Sequence, residues 1–146
     1  MRLVGHGICA WLAAVAVVLT FSAAPARAEG AEVTVHVTGL ESTKGDVIVA
    51  LFDEAGWTSK ERITAARVAA SATDLTLKFA APAPGKYGIK AFHDLDSDGE
   101  MNKTFGIPTE PFAFSNDAKA SGGPPDFSAA AFDVTAEGAE QTIHLR

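Results

Sequence analysis

From Glu32 to Leu40 the chain reads EVTVHVTGL, with Val33, Val35 and Val37 alternating against Thr34, His36 and Thr38. A period of two sends successive side chains to opposite faces of an extended backbone, so this run specifies a strand with one dry and one wet face. The same signature returns in short pieces. Asp74 to Ala80 (DLTLKFA) turns Leu75, Leu77 and Phe79 to one side, and Pro82, Pro84 and Gly85 end the run. Asp46 to Phe52 (DVIVALF) is nearly all apolar β-formers, as in a central strand covered on both faces. Gly39 and Ser42 to Gly45 lie between these first two strands and are expected to join them as a hairpin. Tyr87 to His93 (YGIKAFH) is a further strand, and Ala130–Thr135 and Gln141–Leu145 are expected to close the domain as a pair around Glu137-Gly138. Ser59 to Ala70 mixes helix-forming Ala, Lys, Glu and Arg with Ile63 and Val68, and is read as a short helical turn leading into a strand. About seven short strands with little helix give an all-β, antiparallel two-sheet sandwich.

The N-terminus carries an address. Arg2 precedes the apolar run Ile8–Phe21, and Ala26-Arg27-Ala28 presents the small-x-small pattern cut by signal peptidase. The run is 14 residues long, whereas a spanning helix needs roughly 20. Pro25 interrupts the chain before the cleavage site. Residues 1–28 are therefore expected to be a cleaved secretory signal, leaving 29–146 as a single exported domain, periplasmic or extracellular, with no membrane span. Cys9 is the only cysteine and lies inside the signal, too early in the apolar run for lipid attachment. The mature domain is thus expected to have no disulfide, thiol catalysis or thiolate metal site. The chain carries 18 acidic and 12 basic side chains, a formal charge of -6. The 1–28 segment contributes Arg2 and Arg27 but no Asp or Glu, so its loss makes the body more acidic still. Such a charge repels nucleic acid and attracts divalent cations and basic surfaces.

The sharpest local signal is Asp94-Leu95-Asp96-Ser97-Asp98-Gly99-Glu100-Met101-Asn102. Carboxylates at alternate positions followed by Gly resemble the first half of a calcium loop, where the Gly lets the backbone wrap the ion. Asp94, Asp96 and Asp98 would give side-chain oxygens, Glu100 its backbone carbonyl, and Asn102 a side-chain oxygen directly or through water. That makes about five of the six to eight oxygens Ca²⁺ takes. Glu110, Asp117 or Asp126 from the segment that follows would complete the shell. The loop is not the helical hand, because a strand precedes it and Phe105 stands where that motif has its closing Glu. Calcium suits this flexible mixed set better than magnesium does, and crowded carboxylates repel one another without a cation. The same residues also read as a solvated acidic turn, since Asp and Ser stabilise turns through their own backbone bonds.

Lys103 to Ser128 breaks the strand rhythm and holds Phe105, Phe112, Phe114 and Phe127 together with four of the seven prolines. Exposing such rings costs about 1.5–3 kcal/mol each, so an ordered loop folded back on the sandwich is expected. Ordered by the ion, it would offer a surface to a protein or small ligand, on a monomeric or weakly associating domain. In a metal-independent alternative, Phe112, Phe114 and Trp57 would line a pocket for a small apolar or sugar ligand. His93 is read as a satisfied, partly buried histidine; its functional alternatives are orienting the acidic loop or binding a softer metal. His36 and His144 fall on wet faces and would meet if the first and last strands pair, a weak transition-metal arrangement. No Gly-x-Ser-x-Gly elbow, His-Glu-x-x-His or phosphate-cradling Gly-rich loop is present, so no enzymatic activity and no catalytic residue is expected. The enzymatic alternative, an accessory hydrolase, would need His93 beside a carboxylate above an open cleft.

Five motifs in order, Pro84-Gly85-Lys86-Tyr87, His93-Asp94 with the acidic repeat, Phe105-Gly106-Ile107-Pro108-Thr109-Glu110, Phe114-Ser115-Asn116 and Gly123-Pro124-Pro125-Asp126-Phe127, resemble an exported bacterial family, domain of unknown function 2141. The similarity covers about Glu32 to Arg146. It implies a sandwich related to transthyretin-like and carboxypeptidase-regulatory-like domains, so the fold is expected to be prealbumin-like or immunoglobulin-like. It brings no established activity. Members of that family often have Asn where this chain has Asp96 and Asp98, and Asp where it has Asn102. The exchange keeps an oxygen at each position. The acidic loop is also similar to those of calcium-stabilised sandwich repeats on bacterial surfaces, an analogy of site.

Overall fold

The structure is a computed structural model that describes residues 30–146; the secretory segment expected at 1–28 lies outside the described residues. Ten strands follow in order: β1 Glu32–Thr38, β2 Asp46–Phe52, β3 Thr64–Ala69, β4 Leu75–Ala80, β5 Gly85–Asp94, β6 Lys103–Thr104, β7 Ile107–Pro108, β8 Phe112–Phe114, β9 Phe132–Val134 and β10 Ala139–His144. Two short helices, α1 Glu54–Ser59 and α2 Phe127–Ala130, and a 3₁₀ turn at Ser115–Asp117 complete the set. One sheet has the order β10-β1-β4 and the other β3-β2-β5-β8, with β9 also paired to β5. The expected two-sheet sandwich is what forms.

The alternation seen in the sequence decides which atoms meet. Val33, Val35 and Val37 of β1, with Leu77 and Phe79 of β4 and Ile143 of β10, face Val47, Val49 and Leu51 of β2 and Ile89 and Ala91 of β5 in one continuous core. The other face of β2 explains its almost unbroken apolar run. Ala50 and Phe52 point away from that core into a second cluster with Trp57, Phe114 and Ala130, roofed by Phe112 and Phe127. Trp57 is the hub, with the rings of Phe52, Phe114 and Phe127 about it at 6.0, 6.0 and 5.9 Å, and its indole N–H donates to the Pro125 carbonyl at 2.8 Å. Lys90 of β5 lies over the Phe52 and Trp57 rings and donates to the Trp57 carbonyl at the end of α1. Burial there lowers its pKa.

Several expectations are corrected by the pairing. The first two strands do not form a hairpin: β1 pairs with β4 and β10, and β2 with β3 and β5. Their connection is a corner between sheets, because both strands turn their valines to the same core from opposite sides. The closing strands also separate. β9 joins β5, while β10 crosses to the other sheet and runs parallel to β1, leaving only the bridge Thr135–Gly138 between them. The helical turn sits earlier than expected, at Glu54–Ser59, because Asp53 caps it by accepting from Gly56 N–H at 2.7 Å. Lys60 then ends it in the left-handed region.

The segment 103–128 is ordered, as expected, and contains β6, β7, β8 and the 3₁₀ turn. Phe112, Phe114 and Phe127 pack into the second cluster. Phe105 does not fold back: it is fully exposed. Phe105 and Gly106 are the central residues of the tight β6–β7 turn, with φ of 51° and 80°. Positive φ at both positions is the mirror-image turn favoured between two strands, and it aims the ring away from the sandwich.

Candidate metal centre

β5 is flanked by β2 from Gly88 to its end at Asp94, whose register partner on β2 is Asp46. The sheet therefore delivers the first carboxylate of the acidic loop to a buried position, with no exposure to solvent. Asp94 organises the turn: Oδ1 accepts from Asp98 N–H at 3.1 Å and Oδ2 from Gly99 N–H at 2.8 Å. Asp98 Oδ1 accepts from Glu100 N–H at 2.8 Å, and Asp96 Oδ2 from the Asn102 side-chain amide at 2.8 Å. Gly99 has φ of 86°, which favours a residue without Cβ, and Ser97 also lies in the left-handed region. The result is that Asp94, Asp96 and Asp98 each bring one carboxylate oxygen within 4.8 Å of the others.

Glu110 belongs to the site in a way its sequence position does not reveal. It is almost fully buried, and its two oxygens accept from Leu95 N–H at 2.7 Å and Asn102 N–H at 3.0 Å. One carboxylate thus staples the two ends of the acidic loop together. The Thr109 N–H, donating to the Asn102 carbonyl, fixes the root of the β6–β7 hairpin at the same place. Of the three residues expected to complete an ion shell, only Glu110 is here. Asp117 accepts from His144 and pairs with Arg146, and Asp126 precedes α2. The Glu100 side chain is exposed.

The residue that sequence reasoning missed is Arg67. On β3 it stands beside β2, and its guanidinium donates twice to Asp46 Oδ2, at 2.8 and 2.6 Å, and to the Ser97 carbonyl at 2.7 Å. The same group is 3.5 Å from Asp94 Oδ2. It is the fixed positive charge beside a cluster of negative ones. Its bonds hold the Asp46 carboxyl below its ordinary pKa, and the Asn102 amide, with the Asp98 backbone N–H, does the same for Asp96. No signal short of the β2–β3 register places Arg67 here. All the donors toward the centre of the cluster are oxygens, the hard set that suits calcium or magnesium rather than zinc or copper.

The histidines go elsewhere. His93 is buried, and its Nε2 donates to the Lys44 carbonyl at 2.6 Å, bracing the turn after β1. That bond goes to a backbone carbonyl and not to a carboxylate. β1 and β10 do pair, yet His36 and His144 are not joined: the first contacts Thr76 and Glu140, the second Asp117. The proposed aromatic pocket is also altered. Phe112 and Phe114 border a depression of about 290 Å³ with Ala118, Lys119, Ala120 and Arg146, but Trp57 is buried in the second cluster.

Fold and loop together define a small all-β sandwich with a stapled acidic turn at the end of a central strand. The chain belongs to a bacterial family: the model described as "Uncharacterized protein conserved in bacteria (DUF2141)" matches residues 35–143. No curated protein and no solved structure matches it. Among the described residues, no helix is long and apolar enough to cross a membrane.

Proposed function

We propose that this is an exported binding or structural module whose acidic loop holds a structural calcium ion. The observation that supports this reading is the convergence of one oxygen each from Asp94, Asp96 and Asp98 within 4.8 Å, with Asp94 buried. Those three side chains, the Glu100 carbonyl and the Asn102 side-chain oxygen are the ligands; Glu110, already closing the loop, contributes a remaining lone pair or acts from behind. The ion is a clamp and not a catalyst. It adds positive charge to carboxylates whose other partners are N–H groups and, for Asp94, Arg67, and it stiffens the root of the hairpin. Arg67 competes with it, which keeps affinity modest and suits a compartment where calcium is plentiful.

A ligand at a hundred times its dissociation constant adds about 2.7 kcal/mol to stability. Thermal melts of the protein in millimolar calcium and in a chelator are the test. A higher Tm in calcium, lost in Asp98→Asn, is expected; superimposable curves remove the proposal.

A further inference from the structure

Phe105 is fully exposed and Ile107 is 68% exposed, both on the β6–β7 hairpin. Phe105 also holds φ of 51°, a conformation in which Asn or Gly is the usual occupant. A Cβ on the adjacent Gly106 would meet nothing within 4 Å, so the tip stands clear of its own sandwich. A bulky ring thus sits where both solvent and backbone disfavour it. We propose that this tip is a self-association finger: Phe105 of one copy seats in the depression bordered by Phe112, Phe114 and Ala118 of a second copy, and the reverse.

The two surfaces match in size, polarity and charge. The depression measures about 290 Å³, whereas an apolar cavity of about 150 Å³ already accepts a benzene ring. Its wall is mostly ring and methyl surface, and its rim carries Asp117, Lys119 and Arg146, with Asp117 taken up by His144 and Arg146 so that Lys119 is the charge left over. Arg146 is shared with Asp117 at 3.4 Å; among the described residues Lys119 has no acidic partner. The finger rises from the loop that exposes Asp96, Asp98 and Glu100. An acidic root against a basic rim fixes the orientation of docking. The same acidic root, on a chain of net charge -6, opposes an anionic lipid surface.

The root of the finger and the wall of the depression are joined by a short stretch of chain. Glu110 ties the hairpin root to Leu95 and Asn102, and two residues later Phe112 enters the sheet, pairing with Arg146. In the proposed dimer a two-fold axis sets each finger in the other's depression. Reciprocity matters, because one small apolar contact does not cover the entropic cost of association, and the closed arrangement doubles the contact.

Sedimentation equilibrium of the protein as the expressing cell releases it, in chelator, tests this without reference to the ion. A dimer whose share rises with protein concentration up to the millimolar range is expected, as for a small, weak interface. Phe105→Ser is expected to raise its dissociation constant about tenfold or more with an unchanged melt, and Lys119→Glu to weaken it similarly. A monomer at every concentration overturns the proposal. So does a dimer indifferent to Phe105→Ser, an open-ended series of larger species, or a monomer that binds phosphatidylglycerol vesicles through Phe105.

Discussion

The acidic loop and the hairpin that grows from it are adjacent in sequence and opposite in character. In the loop the carboxylates of Asp94, Asp96, Asp98 and Glu110 each have a partner, in most cases a backbone N–H. In the hairpin, Phe105 and Ile107 stand in solvent. A buried charge must be matched by bonds wherever it occurs, so Asp94 and Glu110 tie the loop to the sandwich even though Asp96 and Asp98 face solvent. An exposed ring carries no such demand, so the hairpin tip is free to serve something outside the fold.

The largest effect is expected where the stapling is cut. Glu110→Ala leaves the N–H groups of Leu95 and Asn102 without an acceptor and should cost about 3 kcal/mol, read from urea unfolding. A loss under about 1 kcal/mol, the range of an ordinary surface site, would mean the loop holds without its staple. Next comes Arg67→Ala, which removes the charge shared by Asp46, Ser97 and Asp94. Chelator-treated protein should melt lower, while calcium, titrated by calorimetry, should bind more tightly. Weaker binding would show that Arg67 assists the ion.

Acid gives a smaller change. Asp46 and Asp96 both have folded pKa values below the ordinary 3.8, set by Arg67 and Asn102 respectively. A depressed carboxylate contributes its full stabilisation above the unfolded value and loses it as pH falls through the folded one. Unfolding followed from pH 5 downward should therefore show a decline that begins near 4 and flattens in Asp46→Asn. The smallest effect belongs to Phe105→Ser, expected to change stability by no more than about 0.5 kcal/mol. A loss above about 1 kcal/mol would show that the ring is packed and erase the contrast between the two regions.

Local spacing made part of this readable. Carboxylates at alternate positions before Gly99 announce a turn around a charge, and alternating valines announce a strand. Neither names a partner. Period two tells which face of β1 is dry, not that its neighbours are β4 and β10, so the hairpin expected with β2 was a guess about adjacency. The staple by Glu110 and the placement of Arg67 depend on register between segments far apart, which no window of sequence contains. Phe105 is a different case: Phe-Gly between two short extended pieces was a local turn signal, outweighed by the expectation that aromatic rings are buried.

The strand that opens the described fold has both its neighbours far along the chain, one of them its last strand: His36 meets Thr76 across a separation of 40 residues and Glu140 across 104. Long loops must close before such contacts return any energy, which makes this sheet slow to assemble. While the chain is being made, β1 can pair with β4 but its other edge stays open until β10 emerges. That sheet, half of the sandwich, is therefore completed only by the last strand of the described fold.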